Sequence, residues 1–164
     1  MTIGFFSLAA CDYWIGDAAA TMPDQGSWQV LPMRAFLTNR DVRVEGMQLC
    51  TLARCGYDAA LERFTATGEE AAALERALAQ PRQLAAAIAR PARPGSKTPP
   101  PQVVAENFGN GAWSGVHLAM TGGAKSRHVE GYAVSRRGPA GTTFIVLIAA
   151  DAAVSKRLII AATR

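Results

Sequence analysis

The alternation of apolar and polar positions places strands at both ends of the chain and helices in its middle. Residues 28–36 (WQVLPMRAF) read as a first strand, which Pro32 confines to a sheet edge or a bulge. Residues 42–49 (VRVEGMQL) alternate, with Val42, Val44 and Gly46 on one face and Arg43, Glu45 and Met47 on the other. That is the pattern of a half-buried strand. Asn39-Arg40-Asp41 supplies a turn between the two, so an antiparallel hairpin is expected. Tyr57, Leu61 and Phe64 fall at i, i+4 and i+7 and predict one stripe of a short helix. Thr67-Gly68-Glu69-Glu70 matches a capping box and opens a helix carrying Leu74 and Leu78 on one face. Pro81 is at home in a first turn and starts another helix, with Leu84 and Ile88 on its core side.

The last third returns to strands. Residues 103–108, 113–121, 127–136 and 142–149 are separated by Gly109-Asn110-Gly111, Gly122-Gly123 and Gly138-Pro139, all turn signals. Along residues 113–121 the alternation puts Val116, Leu118 and Met120 on one face and Trp113, His117 and Thr121 on the other. Residues 143–150 (TFIVLIAA) are almost continuously apolar, which predicts a central strand covered on both faces. Asp151 is placed to cap a final helix over residues 152–163, with Val154, Leu158 and Ala162 at four-residue spacing. Two strands, helices, four strands and a helix predict an α+β fold: a mostly antiparallel sheet of about five to six strands with helices packed against it. The chain has 164 residues, 49% hydrophobic and 18% charged. That is enough for one domain with a core of its own, and it excludes a disordered tail or a collagen-like repeat.

The N-terminus carries a different kind of signal. Residues 3–10 (IGFFSLAA) are apolar and uncharged, too short to span a bilayer yet long enough to end a signal peptide. Leu8-Ala9-Ala10-Cys11 resembles the lipobox of bacterial lipoproteins. The resemblance implies cleavage before Cys11 and a lipidated Cys11 that anchors the chain to a membrane. Asp12 resembles an inner-membrane retention signal. Met1-Thr2 lacks the Lys or Arg with which signal peptides open. A buried first strand in a cytoplasmic protein, with all three cysteines reduced, therefore stays open as an alternative. On the lipoprotein reading residues 1–10 are signal-like, 11–27 form a lipidated Cys with a polar tether, and 28–164 make one α+β domain. Within it, residues 90–101 hold five Pro in twelve and form an extended loop. The element order also loosely resembles the Mog1/PsbP-type fold, which bacterial lipoproteins use.

The candidate chemistry is sparse. Cys50 and Cys55 are too far apart in sequence for a C-x-x-C redox site, and no second ligand pair for zinc lies nearby. Beside an export signal they read as a structural disulfide, leaving Cys11 as the odd cysteine. His117 and Met120 fall on opposite strand faces, and His128 sits solvated at a strand entrance. Gly109-Asn110-Gly111 fails as a dinucleotide loop because Ser114 stands where the third glycine belongs. A nucleophile elbow at Ser114 fails because Ala112 and Val116 replace its glycines. Ser114 with His117 has no readable acidic partner. Glu106 and Glu130 fall in strands near Arg127 and Arg136 and suit salt bridging. The 17 basic residues, 14 of them Arg, against 13 acidic give a net charge of +4. They are scattered, which argues against a nucleic-acid face.

No catalytic residue, cofactor or metal is assigned. The sequence points to a non-enzymatic cell-envelope lipoprotein acting as a binding module in the periplasm, with a membrane anchor and a protein partner. The candidate contacts are Trp113, His117, Tyr132, Glu106 and Glu130. The alternative is a small-ligand-binding protein or enzyme with its site on the C-terminal sheet.

Overall fold

The computed structural model describes residues 29–31, 41–89, 101–122 and 127–164. The lipobox-like segment with Cys11, the tether, most of the expected first strand and residues 90–100 of the Pro-rich loop lie outside them. The described residues form an α+β fold built on one antiparallel sheet. Its strands are β1 (Gln29–Leu31), β2 (Val42–Cys50), β3 (Ala59–Ala66), β4 (Gln102–Asn110), β5 (Trp113–Gly122), β6 (Arg127–Gly138) and β7 (Gly141–Ala149). The spatial order is β1-β2-β3-β7-β6-β5-β4, so β7 is central and β1 and β4 are the edges. The helices are α1 (Leu52–Cys55), α2 (Gly68–Leu78), α3 (Pro81–Ile88) and α4 (Ala152–Ala162). The expected β1–β2 hairpin pairing, the central position of β7 and the helices at Gly68, Pro81 and Ala152 are all present.

Residues 57–64 do not form the expected helix. Tyr57 precedes β3, which pairs along its full length with β2 on one side and β7 on the other. The helical spacing of Leu61 and Phe64 misleads because the strand is buried on both faces. Ala59 and Leu61 point into the core beneath α4, whereas Phe64 and Ala66 point toward α2. Two neighbouring strands satisfy the whole backbone of an Ala-Leu-Glu-Arg segment whose own propensity is helical, so pairing overrides propensity.

The alternation assigned to β2 holds only to Glu45. The register with β3 shifts between Val44 and Gly46, a β-bulge that sets two residues against one. Val42 and Val44 face α2, but beyond the bulge the pattern inverts, and Gln48 and Cys50 are buried on the α4 side. The bulged Glu45 accepts a hydrogen bond from Thr65 Oγ1 at 2.6 Å and pairs with Arg63 Nε at 2.8 Å.

The core on one side of the sheet consists of Leu61, Val134, Ile145 and Leu147 under Leu158 and Ile159 of α4. Asp151 caps α4 by accepting from the Val154 N–H at 2.8 Å. A smaller core on the other side joins Ala66, Phe64 and Phe144 to Ala71, Leu74 and Leu78 of α2. Phe64 and Phe144 stack there with centroids 5.1 Å apart. The expected capping box at Thr67 does not form. Thr67 is the N-cap but makes no side-chain cap bond, because Gly68 opens the helix at φ +59° and turns the first peptide away from it. Cys50 and Cys55 lie at disulfide distance, with Cα atoms 6.0 Å apart. They close a small loop containing α1, whose Leu52 N–H donates to Asp58 Oδ1 at 2.7 Å.

Candidate functional site

The side chains with chemistry gather on the α4 side of the sheet, at a corner formed by β4, β5 and β6. Alternation puts His117 of β5 on the same face as His128, Glu130 and Tyr132 of β6. The register sets His117 opposite Tyr132 and Glu130 opposite Ala119. Glu130 is therefore a diagonal cross-strand neighbour of His117, within reach of a long side chain. His128, two residues earlier on the same strand, reaches it from the other side. Glu130 is 5% exposed, and an imidazole engages each of its oxygens. His117 Nε2 lies against Oε2, and His128 Nε2 is 2.6 Å from Oε1. A buried carboxylate needs such partners to offset its lost hydration. Here two histidines supply them, and not Arg136. Arg136 instead lies over the Trp113 ring, 4.6 Å from its centroid.

Aromatic packing fixes His117. Tyr132 stacks on His117 at 4.7 Å and receives the edge of Phe108 at 4.8 Å. Burial, with the Glu130 charge nearby, pushes the Tyr132 phenol above its usual range. On β4, Glu106 sits directly opposite His117 and is exposed. The structure thus brings His117, Tyr132, Glu106 and Glu130 together as one neighbourhood.

Trp113 does not belong to it as a contact residue. It is 3% exposed and lies in the core beneath α4, and Tyr132 is also buried at 5%. A residue that touches a partner must be exposed, and neither of these two candidate contacts is. Ser114 is excluded too, since it pairs with Ser135 on the opposite sheet face. His128 is exposed, as the sequence predicts, and what sequence reasoning missed is its contact with Glu130. The signal was present, because His128-x-Glu130 within one strand must share a face. Among the described residues no group of three or more His, Cys, Asp or Glu is placed to hold a metal ion.

A second concave feature lies on the other side of the sheet. A cleft of about 720 Å³ is lined by Glu75 and Leu78 of α2 with Asn107, Ser114, Ser135 and Arg137 of the sheet. Arg137 pairs with Glu75 at its rim and holds that carboxyl below the usual range. On the same side, burial pushes the Glu62 carboxyl up. No protein-family model, characterised protein or solved structure matches this chain. No helix among the described residues is long and apolar enough to cross a membrane.

Proposed function

We propose that this chain is a non-enzymatic cell-envelope lipoprotein, anchored through Cys11 and acting as a binding module on the periplasmic side. The observation that carries this reading is the Cys50–Cys55 pair at disulfide distance. Such a pair suits an oxidising compartment. It leaves Cys11 as the odd cysteine, at the position a lipobox-like sequence would lipidate. Two acyl chains there give stable anchoring, and Asp12 favours the inner membrane. The histidine cluster supports binding over catalysis. Both Nε2 atoms are spent on one buried carboxylate, and Ser114 lies on the other face of the sheet. The test is intact mass of the chain expressed from its native gene in a bacterial host, with membrane and soluble fractions separated. A membrane-bound species that begins at Cys11 and is heavier by acyl chains is expected. A soluble species that retains residues 1–10 overturns the anchor and favours a cytoplasmic protein.

The cleft beside α2 favours a second reading, a small polar ligand bound on the C-terminal sheet. Ser114, Ser135 and Asn107 offer neutral hydrogen-bonding groups on its floor. Ser135→Leu would fill that floor. A ligand whose stabilisation of the fold disappears in this variant would support the reading.

A further inference from the structure

We infer that the outer edge of β4, with the groove beside α3, is a strand-addition site for an extended segment of another protein carrying a Lys or Arg opposite Glu106. β4 ends the sheet. Its nine residues pair with β5 in unbroken register, from Gln102 opposite Thr121 to Asn110 opposite Trp113. Every second residue of such a strand turns its N–H and C=O away from the partner. Among the described residues, no backbone hydrogen bond from outside the regular elements reaches residues 102–110.

Edge strands are commonly blunted by shortness, bulges, Lys or Pro. β4 has no bulge, Lys or Pro, and its one charge is Glu106. A groove of about 500 Å³ runs beside it, lined by Ala105, Glu106 and Asn107 and by residues 80–83 at the start of α3. Successive strand residues point to opposite faces, so a groove touching all three follows the strand's edge.

The main-chain groups select an extended strand as occupant, the mode used by domains that bind peptides between an edge strand and a helix. The side chains narrow the choice. On the α4 face β4 presents Val104, 59% exposed, then Glu106 and Phe108. An added strand fits when a basic residue faces Glu106 and an apolar residue stands two positions away on each side. Its intervening residues face Gln80, Arg82 and Gln83 and should be small and polar. A second copy of this chain fits poorly, because antiparallel β4 strands centred on each other set Glu106 against Glu106.

This inference rests on the reading of the chain as a binding module but not on its lipid anchor. The test uses the ¹⁵N-labelled full chain and the blocked peptide Thr-Val-Ser-Lys-Ser-Val-Thr. Amide shifts concentrated in residues 102–110 and in Gln80, Arg82 and Gln83 are expected. Replacing the peptide Lys by Glu should weaken binding at least about fivefold, and Glu106→Lys should reverse that preference. Absence of shifts up to about 2 mM peptide, which reads affinities into the millimolar range, overturns the inference. So does β4-mediated dimerisation without peptide, or binding indifferent to both charge changes. A soluble, non-lipidated chain that binds the peptide removes the anchor and leaves this inference standing. A lipidated chain without shifts removes this inference alone.

Discussion

Arg137 on β6 lies fork to fork with Glu75 on α2, its Nε 2.9 Å from one carboxylate oxygen and its Nη2 2.6 Å from the other. Thr142 donates to the same carboxylate at 3.0 Å, so one helix residue fastens α2 across two strands. Arg137 holds the Glu75 carboxyl below its ordinary 4.5. A lowered folded-state pKa adds stability that is fully present above the ordinary value and is lost as pH falls through the lowered one. Glu75→Gln should therefore lower Tm at pH 7 by no more than about 3 °C, because the pair is solvent-screened. The gap between variant and parent should narrow below pH 4.5. Calorimetry at pH 7 and at pH 3 checks this, and an equal gap at both would show that the pair is not the source.

Reduction should loosen the end of β2. Closing so short a loop removes unfolded-state entropy worth about 2 kcal/mol, so a reductant should lower Tm by about 4–8 °C. Thiol titration of the unreduced, denatured chain should find neither Cys50 nor Cys55. Detection of both as free thiols would refute the bond.

Glu130 and Glu106 stand on the same sheet face but should respond to very different degrees. Glu130→Gln removes the buried charge that both imidazoles share and should cost about 2 kcal/mol, the scale of hydrogen bonds to charged groups. Glu106→Gln, at an exposed position, should stay within about 0.5 kcal/mol. Urea unfolding of the two variants separates them, and equal costs would mean that Glu130 is not held as described.

Tyr132 should titrate late. Its phenol is raised by burial and by Glu130, and a raised folded-state value gives stability that is present below pH 10 and lost as pH rises through the raised value. Absorbance at 295 nm should show one tyrosine ionising together with unfolding. Tyr132→Phe should remove that step, and its persistence would assign the step elsewhere.

The final helix should dominate stability. Leu158 is fully buried between α4 and the sheet, and Leu158→Ala should cost about 2–5 kcal/mol. Asp151→Ala removes only the cap and should cost about 1 kcal/mol. Chemical denaturation orders the two, and a cap variant costlier than the core variant would contradict the packing.

Much of the fold was legible because some segments carry their own instructions. Asp151 followed by apolar residues at four-residue spacing can cap and bury a helix in only one way. The apolar run of β7 demanded cover on both faces, and it became the central strand. The Gly-rich turns marked β5 and β6 at both ends. Part of the candidate site was legible too, since alternation alone put His117 on the face away from Met120.

Other features depended on partners distant in sequence. β3 carries a helical spacing, and only β2 and β7 on either side made it a strand. The bulge at Glu45 inverts the faces of Gln48 and Cys50, and nothing local announces it, because Thr65 and Arg63 supply the contacts that hold it. The capping box at Thr67 failed through the positive φ of Gly68, a backbone state its sequence match does not specify. Trp113 looked like a surface contact until α4 was laid over it.

Local patterning by itself determined the α+β class, the C-terminal meander, the capped last helix and the two cysteines able to pair. Each is decided by neighbours within a few residues, where period, turn chemistry and capping act directly. Tertiary structure alone decided that Glu130 is shared by His117 and His128, that Ser114 is turned away from them and that β4 is left as the long edge. Those outcomes follow from strand order and register. Register moves a side chain from one face to the other with every single-residue shift, and it is set only when the distant strands meet.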